Sequence, residues 1–130
     1  MNRKTSVLMV LLVVAVVGGA LALGLSGNHS AANGCKPGKP ASHIITIRDG
    51  KASTTDVQAR FCDTLTITNK DDIAREIAFG VHAKHTAYDG VMERVLAKDG
   101  SLKVTLNKVG TYHWHDHLHD EVQGYFTVTQ

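Results

Sequence analysis

The C-terminal part of the chain is rich in histidines, whose imidazoles are potential metal ligands. Four of the eight histidines alternate with other residues over one short stretch: His113, His115, His117 and His119. Imidazole is the commonest metal ligand in proteins, and packing alone does not explain so dense a cluster. Residues i and i+2 share a face of an extended strand, so His115 and His117 can converge on one ion or on two adjacent ions.

A second histidine pair, His82 and His85, lies in a predicted loop. The His-x-x-His spacing lets both rings reach one point after a turn, and together with His115 and His117 it would supply a site of three or four nitrogens. Nitrogen-rich, sulfur-free ligation favours Cu(II), followed by zinc or nickel. His119 is a weaker candidate for this site. The alternative interpretation is that these are surface histidines on polar loops.

Asp116 has the same strand parity as Trp114, which is predicted to face the core. A carboxylate in that position must be ion-paired or hydrogen-bonded, or it must bind the metal. Orienting a ligating imidazole is the commoner role, so Asp116 is a weaker candidate as a ligand. Other polar residues are predicted to be solvated, namely His29, His43, Asp71, Asp72, Asp120 and Glu121.

Short strand signals fill the chain from about residue 42 to residue 130. Alternating or β-branched segments predict strands at residues 43–48, 52–60, 64–68, 76–80, 102–106 and 125–129, while residues 91–97 fit either a strand or a short helical turn. Asp-Gly pairs at residues 49–50 and 99–100 predict turns. About seven short strands separated by turns indicate an antiparallel β-sandwich or barrel.

The N-terminal segment predicts export. Arg3 and Lys4 precede an apolar run of 19 residues, 7–25, which at ~1.5 Å per residue can span a hydrocarbon layer of about 30 Å. An uncleaved membrane anchor is favoured, and a cleaved signal peptide is the alternative because residues 20–22 form a small-x-small site. In both cases Arg3 and Lys4 stay on the cytoplasmic side of the membrane, and the rest of the chain is exported. Residues 26–41 are predicted to be a flexible tether and residues 42–130 a single domain.

Composition excludes several classes of function. Beyond residue 25 there are 12 Lys and Arg and 12 Asp and Glu, so no basic excess indicates nucleic acid. The chain has no nucleophile elbow, phosphate-binding glycine loop or pair of catalytic carboxylates. In an exported protein the two cysteines, Cys35 and Cys62, are most simply a disulfide, although two separate thiols remain the alternative.

These motifs now point to a family. The C-terminal stretch Gly-Thr-Tyr-His-Trp-His-Asp-His-Leu-His resembles the signature of the cupredoxins, in which a Gly-x-Tyr-x-Phe strand leads into the copper loop. The segment starting at Cys62, Cys-Asp-Thr-Leu-Thr-Ile-Thr-Asn, is similar to the family's Gly-Asp-Thr-Val-Thr-Phe-x-Asn strand, and His43-Ile-Ile-Thr-Ile is similar to its first strand. The resemblance covers residues 43–130 and implies a Greek-key β-sandwich.

The blue-copper ligands of that family do not carry over to this chain. The family's first histidine falls on Arg75, its cysteine on Asp116 and its axial methionine near Val122, so only the last histidine is matched, by His119. A blue-copper centre needs the cysteine thiolate. The resemblance therefore implies the fold without that type of centre.

Two further resemblances concern the other histidines. The Trp-His-Asp-His element is similar to the His-x-His copper ligands of multicopper oxidases, which fall on His115 and His117, although those enzymes complete their cluster from another cupredoxin domain. The chain also resembles small exported cupredoxin-like proteins with a His-x-x-His-Thr loop, here His82, His85 and Thr86. This last likeness implies copper binding without a defined reaction.

The sequence thus predicts an exported cupredoxin-like protein on the outer face of the membrane, with copper as cofactor, zinc as a less favoured metal and a redox or copper-transfer protein as partner. The predicted ligands are His82, His85, His115 and His117. Two alternatives stay open. A copper with an open coordination position would support oxidase- or dismutase-type chemistry, and a domain without metal would serve as an interaction module.

Overall fold

The computed structural model describes residues 34–35 and 38–130. The predicted anchor at residues 7–25 and most of the predicted tether at residues 26–41 lie outside the described residues. Within the part of the chain that the structure describes, no helix is long and apolar enough to cross a membrane.

The described residues form an all-β sandwich of two sheets, which confirms the predicted sandwich. The first sheet has the strand order β2-β1-β4-β8, and the second has the order β3-β10-β9-β5-β6, with β7 also paired to β5. The strands are β1 (Ser42–Arg48), β2 (Lys51–Ala52), β3 (Asp56–Arg60), β4 (Thr64–Asn69), β5 (Arg75–Val81), β6 (Lys84–His85), β7 (Glu93–Leu96), β8 (Ser101–Thr105), β9 (Gly110–Asp116) and β10 (His119–Thr129).

Alternating side chains build the core between the sheets. Leu65 and Ile67 on β4 face inward from the first sheet, and Trp114 and Phe126 face them from the second; all four are buried. Burying an aliphatic side chain of this size contributes about 1.5–3 kcal/mol. The core therefore fixes which face of β9 points inward, and this in turn decides where each histidine of that strand lies.

Strand direction differs from the prediction at two places. β1 pairs with β4, and β3 pairs with β10, in parallel ladders, whereas the sequence pattern indicated antiparallel strands throughout. Parallel pairing requires a crossover connection, and between β1 and β4 the chain makes it by crossing to the second sheet as β3 and then returning.

The segment predicted as one strand at residues 52–60 is two strands in different sheets. Ser53 and Thr54 interrupt it by hydrogen-bonding nearby backbone: the Ser53 hydroxyl accepts from the amide of Thr46, and the Thr54 hydroxyl donates to the carbonyl of Asp56. Such local bonds compete with the sheet ladder and favour a bend. The second part, β3, lies at the edge of its sheet. The last strand is longer than predicted and begins at His119.

A disulfide joins Cys35 to Cys62, the pair that the cysteine count predicts. It ties the segment before β1 to the turn before β4, across 27 positions of the sequence. A cross-link of this kind typically stabilises a fold by about 2–4 kcal/mol. It also indicates an oxidising, extracytoplasmic compartment.

Candidate metal centre

Histidines lie on the outer face of the second sheet. Trp114 faces the core, so its neighbours in β9, His113 and His115, lie on the opposite side, as strand alternation predicts. His115 is nevertheless only 1% exposed. The two-residue turn between β5 and β6 covers it, with the ring centroids of His82 and His85 at 5.6 Å and 5.2 Å from that of His115.

Gly80 allows this hairpin to fold back so closely. Its φ of 88° lies in the left-handed region that favours glycine. A Cβ at this position would lie 2.8 Å from the carbonyl oxygen of Lys84 and 2.8 Å from the amide nitrogen of Thr86. The carbonyl of Gly80 also accepts a hydrogen bond of 2.8 Å from Nδ1 of His113, which fixes the hairpin to β9.

Three imidazoles form the tightest group in this region. His82, His115 and His117 each offer one ring nitrogen, and these nitrogens all lie within 4.8 Å of one another. The rings of His82 and His117 stack with centroids 4.5 Å apart. The amide of His117 donates to the carbonyl of Glu76 on β5, which holds the residue beside the hairpin. The separations suit three ligands around one ion.

His85 packs against these three imidazoles, but it is not one of the three residues whose ring nitrogens all lie within 4.8 Å of one another. Its ring centroid is 4.7 Å from that of His117. Its Nδ1 lies 3.0 Å from the carboxylate of Glu93 on β7, so the ring donates there and Nε2 is left as the ligating atom. The structure thus brings the four predicted ligands together: three offer mutually close nitrogens, and the ring of His85 packs against them.

Several buried nitrogens in the cluster have no hydrogen-bond partner among the described residues. They are Nε2 of His85, both ring nitrogens of His115 and Nδ1 of His117. A buried polar atom without a partner costs about 1–3 kcal/mol. Unpaired nitrogens on three adjacent imidazoles fit a bound cation, because each ring would then coordinate through one nitrogen.

The protonation state also favours a metal. Burial lowers the pKa of His115 below its ordinary value of 6.5, and the neighbouring His113 and His85 lower it further. The neutral imidazole therefore persists into the acidic range, and only the neutral form has a lone pair for coordination.

Carboxylates pair with two of the four imidazoles, those of His82 and His85. Nδ1 of His82 lies 2.7 Å from Oδ1 of Asp120, and Glu93 binds His85 in the same way. Metal-ligating histidines commonly donate their second ring N–H to a carboxylate, which sets the tautomer. Sequence reasoning missed both acids. Asp120 was expected to be a solvated turn charge, and no local pattern links Glu93 to a histidine eight positions away.

Asp116, one residue beyond His115, belongs to a different region on the inner side of β9. It is fully buried, and its Oδ2 accepts a hydrogen bond of 3.0 Å from Nη1 of Arg75. Its Oδ1 accepts from the amides of Glu76 and Leu118 at 3.1 Å and 3.2 Å. Nδ1 of His119 lies 3.2 Å from Oδ2. The weaker candidates Asp116 and His119 are therefore partners of each other and lie outside the four-histidine cluster.

Asp71 completes this inner region and corrects one prediction, because it is not a solvated turn charge. Its carboxylate lies 2.6 Å from Nη2 of Arg75, and its side chain is 10% exposed. Burial raises the pKa of Asp71, but hydrogen bonds from Arg75 and from two backbone amides outweigh it, so the pKa is lowered. Burial lowers the pKa of Arg75, and the two aspartates reverse this, so the guanidinium stays charged.

His43, also expected to be solvated, is instead half-buried. Its Nε2 lies 2.9 Å from Oδ2 of Asp63, at the start of β1 and far from the cluster along the chain. His29 lies outside the described residues.

Comparison with known proteins finds similarity in structure alone. No protein-family model matches the chain, and no curated protein sequence is similar to it. The Cu(I) form of an amicyanin mutant is 20% identical, with 68% of this chain and 82% of that chain covered and a TM-score of 0.56. An oxidised amicyanin mutant is 21% identical, covers 67% and 81%, and has a TM-score of 0.58.

A third solved structure, described as a novel purple cupredoxin from Nitrosopumilus maritimus, is 20% identical and has a TM-score of 0.59. The match covers 67% of this chain and 99% of that chain. These likenesses confirm the predicted resemblance at the level of the fold. The described domain has the cupredoxin fold, with a cluster of histidines on the outer face of its second sheet.

Proposed function

We propose that this protein binds copper outside the cytoplasm and serves in copper handling or electron transfer. His82, His115 and His117 would hold the ion, with His85 as a fourth ligand. The observation that carries the proposal is the set of three mutually close imidazoles, two of which have buried nitrogens without a hydrogen-bond partner in the described residues.

The donor set supports copper over other metals. The site offers imidazole nitrogen, and Cu(II) stands at the top of the affinity order for such sites, above zinc. Two structural neighbours are amicyanins, one of them recorded as its Cu(I) form. Copper bound here would supply one-electron chemistry, and the protein's own residues would fix the ligand tautomers through Asp120 and Glu93.

The centre would differ from a blue-copper site. The resemblance places the family's cysteine at Asp116, whose two oxygens are already engaged by Arg75, His119 and two amides. No thiolate lies in the cluster, because the two cysteines form the disulfide. We expect a nitrogen-ligated copper without intense blue absorption.

The domain organisation supports an extracytoplasmic role. We propose that residues 1–25 anchor the chain in the membrane, residues 26–41 act as a tether and residues 42–130 form the copper-binding domain. The disulfide between Cys35 and Cys62 would be stable on the outer face of the membrane. A redox protein or a copper-transfer protein would then be the partner.

An oxidoreductase is the second candidate, and one observation favours it. The mutually close set has three members, and His85 lies outside it. Catalytic zinc sites have three protein ligands and keep one position for water or substrate, whereas structural zinc sites are closed, and the same logic applies to copper. A copper held by three imidazoles would have such a position.

Copper titration of the full-length chain, followed by electron paramagnetic resonance, tests the proposal. We expect stoichiometric binding with an axial Cu(II) spectrum split by nitrogen, lost in His115→Ala and kept in the control His43→Ala. A chain that takes up no stoichiometric copper would be a metal-free interaction module. That result, an intense blue absorption, or an unchanged spectrum in His115→Ala would each overturn the proposal.

A further inference from the structure

The four imidazoles of the cluster differ widely in their exposure to solvent. The side chain of His82 is 53% exposed, whereas that of His85 is 12% exposed. His115 is only 1% exposed, and His117 has an intermediate exposure. An ion that arrives from solvent therefore meets His82 first, and it must pass inward to reach His115.

An open cleft of about 310 Å³ connects the most exposed of these imidazoles with the most buried one. His82 and His115 both line it, whereas neither His85 nor His117 belongs to the lining among the described residues. A water molecule occupies about 30 Å³, so a divalent cation with about six waters of hydration fits into the cleft. The cleft is therefore wide enough to lead a hydrated ion from solvent to the cluster.

The charge of the cleft favours a cation. Asp120 contributes a carboxylate to the lining, and no lysine or arginine is among the described residues that line it. This carboxylate is 61% exposed and lies 2.7 Å from Nδ1 of His82. The ring nitrogens of His113 are engaged by the carbonyl of Gly80 and by Oε1 of Gln123. An approaching cation is therefore attracted by Asp120 and finds its first free ligand in His82.

Glu93 provides a comparison within the same cluster. Its carboxylate lies 3.0 Å from Nδ1 of His85, so it pairs with an imidazole as Asp120 does. Unlike Asp120, Glu93 does not belong to the described lining of the cleft. Both carboxylates can set the tautomer of a ligand, but only Asp120 stands on the path of an ion through the cleft.

We infer that copper enters and leaves the cluster through this cleft, with Asp120 attracting the hydrated ion and His82 acting as the first protein ligand. The inference rests on the proposed function, because it concerns the route of the ion that the cluster binds. The ion stays Cu(II) throughout and exchanges its waters for imidazole nitrogens, so the step requires no electron transfer. Asp120 and His82 thus determine the rate of copper uptake as well as the affinity.

Stopped-flow mixing of Cu(II) with the full-length chain tests the route. Trp114 is the only tryptophan, and quenching of its fluorescence by Cu(II) reports binding. Asp120→Asn should lower the association rate constant about fivefold at low ionic strength and make it less dependent on salt. Glu93→Gln should keep the association rate constant of the unaltered chain, so that its weaker binding comes from faster release. The release rate constant follows from the association rate constant and the dissociation constant.

A second pair of variants changes the width of the cleft without changing a ligand or a charge. Val81 is 59% exposed and lines the cleft, so Val81→Phe should narrow it. A narrower route slows uptake and release by the same factor, so the affinity and the electron paramagnetic resonance spectrum should stay unchanged. The control Ile44→Phe replaces an aliphatic residue on β1 that is 62% exposed, and its rates should match those of the unaltered chain.

The outcomes separate the route from the proposed function. If the chain binds copper but Asp120→Asn and Glu93→Gln have equal association rate constants, the route is wrong and the copper proposal stands. The same conclusion follows if Val81→Phe takes up copper as fast as Ile44→Phe does. If the chain binds no copper, both proposals fail together.

Discussion

His115 and Asp116 are neighbours in β9, yet the hydrogen bonding of their buried polar atoms is opposite. On the inner side, both oxygens of Asp116 accept hydrogen bonds, from Arg75 and from backbone amides. On the outer side, neither ring nitrogen of His115 has a partner among the described residues. A fully bonded group stabilises the fold, whereas a buried histidine nitrogen without a partner is a candidate ligand for a cation.

The comparison gives a physical reason why a cupredoxin fold can lack the blue-copper ligands and still suit a metal. The resemblance assigns the family's first histidine and cysteine to Arg75 and Asp116, and these two residues form a buried ion pair instead. The pair braces the end of β9, from which His115 and His117 extend to the other face. We propose that the inner region supplies the structural support and that the outer region binds the ion.

Removing the arginine should have the largest effect. Arg75→Met leaves Asp116 and Asp71 without their charged partner, and breaking a buried pair in this way costs about 3–5 kcal/mol of unfolding free energy. Urea unfolding of the metal-free protein measures the loss. The exposed Arg94→Met on β7 is the matched control and should change stability by less than about 0.5 kcal/mol. Equal values for the two variants would contradict a structural role for the inner region.

Two alanine variants should show opposite profiles. His117→Ala removes a ligand, so its copper affinity should fall by more than about 100-fold, above the range for residues that only orient ligands. The stability of its metal-free form should change little. His119→Ala should keep its copper affinity and lose about 1 kcal/mol of stability, because its bond to Asp116 disappears.

Copper competition titrations and urea unfolding measure these two profiles. A large loss of copper affinity in His119→Ala would mean that the ion binds on the inner side of β9.

The carboxylate of Glu93, which pairs with Nδ1 of His85, tests whether His85 is a ligand on the outer side. Glu93→Gln should weaken copper binding by about tenfold, because a neutral amide fixes the tautomer of His85 less firmly. The matched control Glu121→Gln changes an exposed residue of β10 and should bind like the unaltered protein. Identical affinities in both variants would show that His85 is not a ligand.

The smallest effect concerns acid stability. Burial raises and hydrogen bonds lower the pKa of Asp71, with a net fall below its ordinary value of 3.8. The unfolded chain therefore binds more protons near that pH, so the stability from this carboxylate is present above about pH 4 and lost as the pH falls through the folded-state pKa. In Asp71→Asn the unfolding free energy should depend less on pH below about pH 4. The same slope in both proteins would contradict this contribution of Asp71.

Sequence patterns predicted the features that depend on local periodicity. The alternation in β4 and β8 identified the buried side of each strand, because side-chain direction follows directly from strand geometry. Of the histidines singled out from their spacing, His82, His115 and His117 lie close together in the structure.

Features that depend on distant contacts were not predictable in this way. Strand parity placed His115 on the outer face, but its burial comes from a hairpin whose residues lie 30 or more positions earlier in the chain. Asp71 is a second example. Its position in a turn predicts solvent exposure, but Arg75 packs against its carboxylate and buries it. The split between β2 and β3 depends on side-chain hydroxyls that compete with the ladder, which alternation alone does not reveal.

Anomalous X-ray diffraction at the copper edge, from crystals of the copper-loaded protein, tests the central claim most directly because it locates the ion. We predict one peak on the outer face of the second sheet, within coordination distance of His82, His115 and His117. A peak on the inner side of β9, beside Asp116 and His119, would contradict it, and so would the absence of any peak at the four histidines.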